Sequence, residues 1–454
     1  MTVRQFFGTD GVRGRANVAP MTADFTLQLG KAIGVFLRSH RGRRPRVLIG
    51  KDTRLSGYLF ETALSSGLVS TGADVLLVGP LPTPGIAFLT SGMRCDAGVV
   101  ISASHNPFGD NGIKLFDHGG FKFPDRIEAE LESMIGAGTL ASHHVTGTDI
   151  GKAFRVDDAL GRYAVFAKSA FPRSRTLEGL KIVVDCANGA AYRVAPEVFQ
   201  ELGAEVVSVN VSPDGENINQ ESGALSPQLL AERVLSVQAD VGIALDGDAD
   251  RCILCDRFGQ TVDGDQTLAI LAAHMSGAGL LESQTVVATV MSNLGLERSL
   301  TKMGLNLIRT QVGDRYVVES MREGNHQLGG EQSGHIVQLN HATTGDGLMA
   351  ALAVLGCMVE KNAPLDELAR VMTKYPQALK NVEVREKPPL ADLPGMQSAV
   401  SRIEKQLGED GRVLVRYSGT ENKLRVMVEG PTQDVVVGAC DVICSAVREE
   451  IGHG

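Results

Sequence analysis

One pattern constrains this chain more than any other, and it recurs three times: an apolar strand, a polar or glycine-bearing loop, a helix, then a second apolar strand. It runs from VLIGKDTR (Val47 to Arg54) to GADVLLVG (Gly72 to Gly79), and from KIVVDCANG (Lys181 to Gly189) to GAEVVSVN (Gly203 to Asn210). A third copy runs from VVATVMSN (Val286 to Asn293) to GLNLIRTQ (Gly304 to Gln311). In each copy a glycine follows the helix, where a left-handed C-cap is unstrained for a residue without a side chain. These are βαβ units, and they call for mostly parallel sheets covered by helices.

The C-terminal stretch reads differently. It offers a strand (KNVEVRE), a helix near Ser398 to Leu407, two strands (RVLVRYS and KLRVMVEG) and a helix from about Gln433. The short GTEN loop between the two strands suggests an antiparallel hairpin. Prolines in Ala363 to Pro376 and in KPPLADLPG interrupt regular structure before it. At 454 residues the chain exceeds one core. The expected fold class is α/β: three βαβ-type domains with mostly parallel sheets, at 1–160, 161–260 and 261–375, plus a C-terminal α+β domain at 376–454.

Composition excludes several functions. The chain has 53 acidic and 44 basic residues, a formal charge of −9, which disfavours nucleic acid as a partner. MTVRQFFGTDGVRG has no apolar core of a secretory signal. The longest apolar run, Leu348 to Val359, suits a buried helix and is too short to span a bilayer. The seven cysteines form no dense framework, and the Cys252/Cys255 pair sits in an apolar stretch, so buried thiols in a reducing cytoplasm are expected.

Four segments carry chemistry. In VVISASHNPFGDNGIKLF, an apolar strand (Gly98 to Ile101) runs into a polar loop that displays Ser104 at a strand end, where α/β folds bind ligands. Alone, such a loop could be a capped turn. His105 beside it and Lys114 beyond it add groups that could move a proton or neutralise phosphate. Asp246, Asp248 and Asp250 follow the strand VGIAL with only Gly and Ala between them. Three such carboxylates repel one another unless a hard divalent cation is held there, and Mg²⁺ suits carboxylate and phosphate ligands. The loop around Glu331, Ser333 and His335 packs polar side chains between glycines, suited to sugar hydroxyls. Arg416, Ser418, Gly419 and Thr420, followed by Arg425, offer cations, hydroxyls and backbone N–H to a tetrahedral dianion, although an ordinary hairpin turn would look similar. No G-K-[ST] occurs, which excludes a Walker-type loop.

SASHNP, DGDADR, GEQSGH and RYSGTE, in this order and preceded by FGTDGVRG (Phe7 to Gly14), closely resemble the motifs of the α-D-phosphohexomutase superfamily over essentially the whole chain. The resemblance implies four domains around a deep central cleft, each giving one loop. It implies a catalytic phosphoserine at Ser104 and Mg²⁺ held by Asp246, Asp248, Asp250 and Ser104. Carried over by position, Arg13, His105, Lys114 and Arg251 line the catalytic region, with Lys114 as general base and His335 as the alternative. Glu331 and Ser333 read the sugar. Arg416, Ser418, Gly419 and Thr420, with Arg425 beside them, grip the distal phosphate. The GEQSGH wording favours glucosamine over glucose and mannose. The expected activity is therefore exchange between glucosamine 6-phosphate and glucosamine 1-phosphate through a 1,6-bisphosphate, which also serves as activator. The expected partner is a small sugar phosphate, with no nucleic acid and no membrane; a homodimer is the assembly considered, and the location expected is cytoplasmic. The main rival is a haloacid-dehalogenase-like phosphatase with Asp246 as nucleophile. That family wants Thr or Val where Asp250 stands.

Overall fold

A computed structural model describes residues 5–8, 10–418 and 421–452. All three repeats form as expected. The first is strand Arg46–Lys51, helix Ser56–Ser70 and strand Asp74–Pro80; the second is Lys181–Asp185, Val194–Glu201 and Glu205–Val209. The third is Thr285–Thr289, Leu294–Lys302 and Asn306–Thr310. The glycines that end these helices, Gly72, Gly203 and Gly304, have φ of +90°, +98° and +74°, a conformation that a Cβ would strain.

Among the described residues there are four sheets. The first has seven strands, with Ala97–Ile101, Arg46–Lys51, Asp74–Pro80 and Ala153–Arg155 parallel to one another. On its other flank Asp110–Asp117, Gly11–Arg15 and Phe7–Gly8 join antiparallel. The second sheet repeats the plan: Val241–Leu245, Lys181–Asp185 and Glu205–Val209 are parallel, and Cys252–Asp256 and Thr261–Val262 are antiparallel. In the third, Thr285–Thr289 is parallel to Leu328–Gly330, which pairs antiparallel with Ile336–Gln338. The antiparallel edges go beyond the βαβ reading. They arise where a short loop, rather than a helix, joins consecutive strands, and those short loops are the ones that carry SASHNP, DGDADR and GEQSGH. The fourth sheet is antiparallel throughout, in the order Gln377–Glu383, Lys423–Glu429, Arg412–Tyr417.

The chain divides into two compact units, residues 1–289 with 308–370, and residues 290–307 with 371–454. Strands Ala97–Ile101 and Val241–Leu245 are buried along their whole length, so the loops at their ends are anchored on rigid core. The apolar run is the buried helix Gly347–Lys361, capped by the Asp346 carboxylate, which accepts from the Met349 N–H at 2.9 Å. The expected helix near Ser398 to Leu407 forms but starts earlier, as Pro394–Leu407 inside the KPPLADLPG stretch, and Pro364 caps a short helix, Leu365–Ala369, in a stretch expected to be irregular. Proline is tolerated there because the first N–H groups of a helix lack intrahelical partners. All seven cysteines are buried, unbridged thiols. No described helix is long and apolar enough to cross a membrane.

Candidate active site

Ser104 stands three residues beyond Ile101, where its strand ends, in left-handed backbone at φ +52°. Its hydroxyl donates to Asp246 Oδ2 at 2.7 Å, 142 residues away in sequence. Asp246, Asp248 and Asp250 lie on the loop between the antiparallel strands Val241–Leu245 and Cys252–Asp256. The loop must approach the serine closely. A Cβ on Gly247 would lie 2.6 Å from the Ser104 carbonyl oxygen and 2.7 Å from Asn219 Nδ2, so only glycine fits. The three aspartates are buried, with one carboxylate oxygen of each within 4.8 Å of the others.

Burial, reinforced by Asp250 and Asp248, pushes the Asp246 carboxyl well above the usual carboxylate range. Asp248 behaves oppositely: burial would raise it, but the Lys114 ammonium and the Thr83 hydroxyl hold it below its ordinary value. Thr83 donates to Asp248 Oδ2 at 2.6 Å, and Lys114 Nζ lies 2.9 Å from the same oxygen. Lys114 also reaches Asp250 at 3.4 Å and Asp10 at 3.2 Å. Those three carboxylates outweigh its burial and raise its pKa, so it is a cation. Asp248 Oδ1 and Asp250 Oδ1 are buried acceptors without a hydrogen-bond partner. Three converging carboxylates, two of them with an orphaned hard oxygen, fit a divalent cation such as Mg²⁺.

His105 Nδ1 lies 3.5 Å from the Ser104 hydroxyl and 2.9 Å from Arg251 Nη1. Burial, then Arg251 and Arg13, push His105 down to about 4. It is therefore neutral, and Nδ1 accepts from the guanidinium. Arg13 pairs with Asp10 and reaches toward the Ala103 carbonyl at 3.5 Å. The expected catalytic group Ser104, His105, Lys114, Arg13 and Arg251 is thus gathered around the aspartates.

The charged line continues. Asp10 pairs with Lys122, Lys122 with Asp314 at 2.5 Å, and Asp314 Oδ2 lies 3.4 Å from His335 Nε2. His335 is buried, with neither ring nitrogen hydrogen-bonded. Glu331 accepts the Gly313 N–H at 3.0 Å and the Ser333 hydroxyl at 3.3 Å. Asp10, Asp52, Arg54, Thr83, Lys122 and Asp314 were not singled out from sequence. The KDTR run straight after the apolar VLIG was a usable signal, because charges rarely continue a buried strand without a partner.

Models of four domains of the phosphoglucomutase/phosphomannomutase family match this chain: alpha/beta/alpha domain I at 4–141, II at 162–259, III at 263–375, and the C-terminal domain at 379–444. The phosphoglucosamine mutase of Anaeromyxobacter dehalogenans is 56% identical over 457 residues, covering 99% of this chain and 100% of that one. The chain belongs to the phosphoglucosamine mutase family. Its members are isomerases within the phosphohexomutase superfamily. The phosphoglucosamine mutase of Pelobacter propionicus is 54% identical, covering 99% of this chain and 100% of that one. Among solved structures, a phosphoglucomutase/phosphomannomutase family protein from Burkholderia thailandensis has the same fold, with TM-score 0.80 at 23% identity over the whole of both chains. The N-acetylphosphoglucosamine mutase of Aspergillus fumigatus, solved with GlcNAc-6P and magnesium, has TM-score 0.66 at 18% identity, covering 98% of this chain and 96% of that one.

The mutase family's fourth motif lies in the other unit. Arg416 and Arg425 are cross-strand partners in the hairpin, so two like charges face each other, and Arg425 Nη2 lies 3.6 Å from Glu421 Oε2. Both Nε atoms are buried without a hydrogen-bond partner. Burial, then Arg425, lower the Arg416 pKa. Ser418 is buried, and its Oγ accepts the Glu421 N–H at 3.3 Å. Gly419 and Thr420 lie outside the described residues.

Proposed function

We propose that this mutase exchanges glucosamine 6-phosphate and glucosamine 1-phosphate through phosphorylated Ser104 and glucosamine 1,6-bisphosphate. The observation that carries this reading is the Ser104 hydroxyl donating to Asp246 inside a buried three-carboxylate cluster. In the first transfer the Ser104 Oγ–P bond breaks and a bond from phosphorus to sugar O1 forms, while the O1 proton leaves to a base. The bisphosphate turns round, and Ser104 takes the 6-phosphoryl group in the reverse sense. Bound Mg²⁺, held by Asp246, Asp248, Asp250 and the seryl oxygen, would offset charge building on that oxygen.

The protein's own groups supply the rest. Lys114, Arg13 and Arg251 are fixed cations beside the serine, placed to balance the charge of the transferring phosphoryl group. Lys114 already contacts three carboxylates, which hold its proton in place, so the geometry favours His335 as the proton acceptor. His335 is buried, has no hydrogen bond on either ring nitrogen and stands 3.4 Å from Asp314 Oδ2. Glu331 and Ser333 would read the sugar. Arg416, Arg425 and Ser418, with Gly419 and Thr420, would hold the phosphate that is not reacting, and the bisphosphate would double as activator by rephosphorylating Ser104. A cytoplasmic location and a homodimer are part of the same proposal.

Peptide mapping of the purified enzyme should find one phosphoryl group on Ser104, and Ser104→Ala should lose nearly all turnover. Phosphate mapped to Asp246, or full activity of Ser104→Ala, would overturn the proposal.

A further inference from the structure

The loop that carries Ser104 is held by a charge pair lying outside the proposed chemistry. Arg54 is fully buried at 0% exposure. All five guanidinium N–H groups are engaged: Nε with Asp52 Oδ2 at 2.8 Å, Nη2 with the carbonyls of Ser104 at 2.9 Å and Asn106 at 2.8 Å, and Nη1 with those of Asp110 at 3.1 Å and Pro107. Asp52 extends the brace. Its Oδ2 also accepts the Ser102 hydroxyl at 2.6 Å, and the Ser102 oxygen accepts the Ser104 N–H at 2.9 Å. Asn219 adds a second donor to the Ser104 and Asn106 carbonyls, at 2.8 and 3.1 Å.

Both main-chain polar groups of Ser104 are therefore fixed by side chains from other positions, and none of this is sheet or helix bonding. The fixed conformation is also one that Ser104 would not choose. A residue with a Cβ is disfavoured in the left-handed region and stays there only where its surroundings impose it. A compact ammonium could neutralise Asp52, but only a planar fork can reach four carbonyls of one loop at once.

We propose that Arg54, with Asp52 and Ser102, is a positioning unit for the phosphoryl carrier, setting the Ser104 backbone so that Oγ stays in line with the sugar oxygen in both transfers. This rests on the reading of Ser104 as carrier. Misplacing a reacting atom by about 1 Å can slow a reaction about a hundredfold, so the brace belongs to the rate and not to sugar affinity.

The test starts with wild-type enzyme treated with glucosamine 1,6-bisphosphate and mapped by mass spectrometry; no phosphate on Ser104 overturns the carrier reading and the brace with it. Arg54→Lys, Ser102→Ala and Asn219→Ala are then phosphorylated in the same way. Each is assayed in single turnover with glucosamine 1-phosphate, well below its melting temperature, with ³¹P spectra of the phosphoserine. Transfer should slow about ten- to a hundredfold in Arg54→Lys and about three- to tenfold in the other two, with KM within about threefold of wild type. The phosphoserine resonance should shift in all three, which a merely stabilising contact would not cause. Folded, Ser104-phosphorylated variants that transfer at the wild-type rate overturn the proposal while leaving the carrier reading intact. Should Arg54→Lys fail to fold, the two smaller substitutions decide the matter by the same criteria.

Discussion

Glu331 shows how much one side chain is asked to do. One carboxylate oxygen holds the Gly313 N–H and the other takes the Ser333 hydroxyl, so the group is oriented by its own loop and by the turn before helix Asp314–Gly324. A charged, oriented acceptor can pair with the C2 ammonium of glucosamine, while a neutral amide offers only a weaker dipole. Glu331→Gln should therefore lower kcat/KM for glucosamine phosphate by about tenfold, from a charge-assisted hydrogen bond of about 1.5–3 kcal/mol, with a smaller loss for glucose phosphate. Parallel kinetics on the two sugars check this; equal losses would mean the carboxylate does not read the amino group.

At the scale of elements, register alone sets Arg416 opposite Arg425 in the hairpin of strands Arg412–Tyr417 and Lys423–Glu429, which is the basis for proposing a phosphate site there. Pairing Arg416 opposite Arg425 puts two guanidinium groups on one face, and the unpartnered Nε atoms leave donors for a phosphate. Because one site must serve both orientations of the bisphosphate, Arg416→Ala should lower kcat/KM about ten- to a hundredfold in both directions. Phosphate on Ser104 should persist, because the serine belongs to the other unit. Forward and reverse kinetics with phosphoserine quantification test it, and a loss confined to one direction would move the distal site elsewhere.

For the molecule as a whole, the buried carboxylates link ligand binding and pH to stability. Three converging aspartates, two with an orphaned oxygen, repel one another without a cation, so Mg²⁺ should raise Tm with increasing concentration and a chelator should both lower it and stop turnover. Metal-independent melting would argue against the assignment. His105 supplies a pH signature. Its folded pKa of about 4 lies below the ordinary value near 6.5, so between the two the unfolded chain binds a proton that the folded chain refuses. Stability should fall as pH drops through that window, and His105→Gln should lose that part of the slope. Denaturant titrations of both proteins from pH 7 to pH 4 measure the difference.

The βαβ repeats, the C-terminal hairpin, Ser104 at a strand end and the DGDADR loop were legible in the chain itself. Each rests on local physics: the period of apolar residues, glycine after a helix, or repulsion between neighbouring carboxylates. Arg54 and Asp10 were not legible, although both stand in segments that drew notice. Their roles come from partners far along the chain: Arg54 grips carbonyls 50–56 positions on, and Asp10 pairs with Lys122, 112 positions away. A side chain's type announces that a buried charge needs a partner, but only the folding of strand ends into one place decides which partner it finds. The same holds for Lys114. Sequence left open whether it takes a proton or balances charge, and the three carboxylates converging on its ammonium are what support proposing the second.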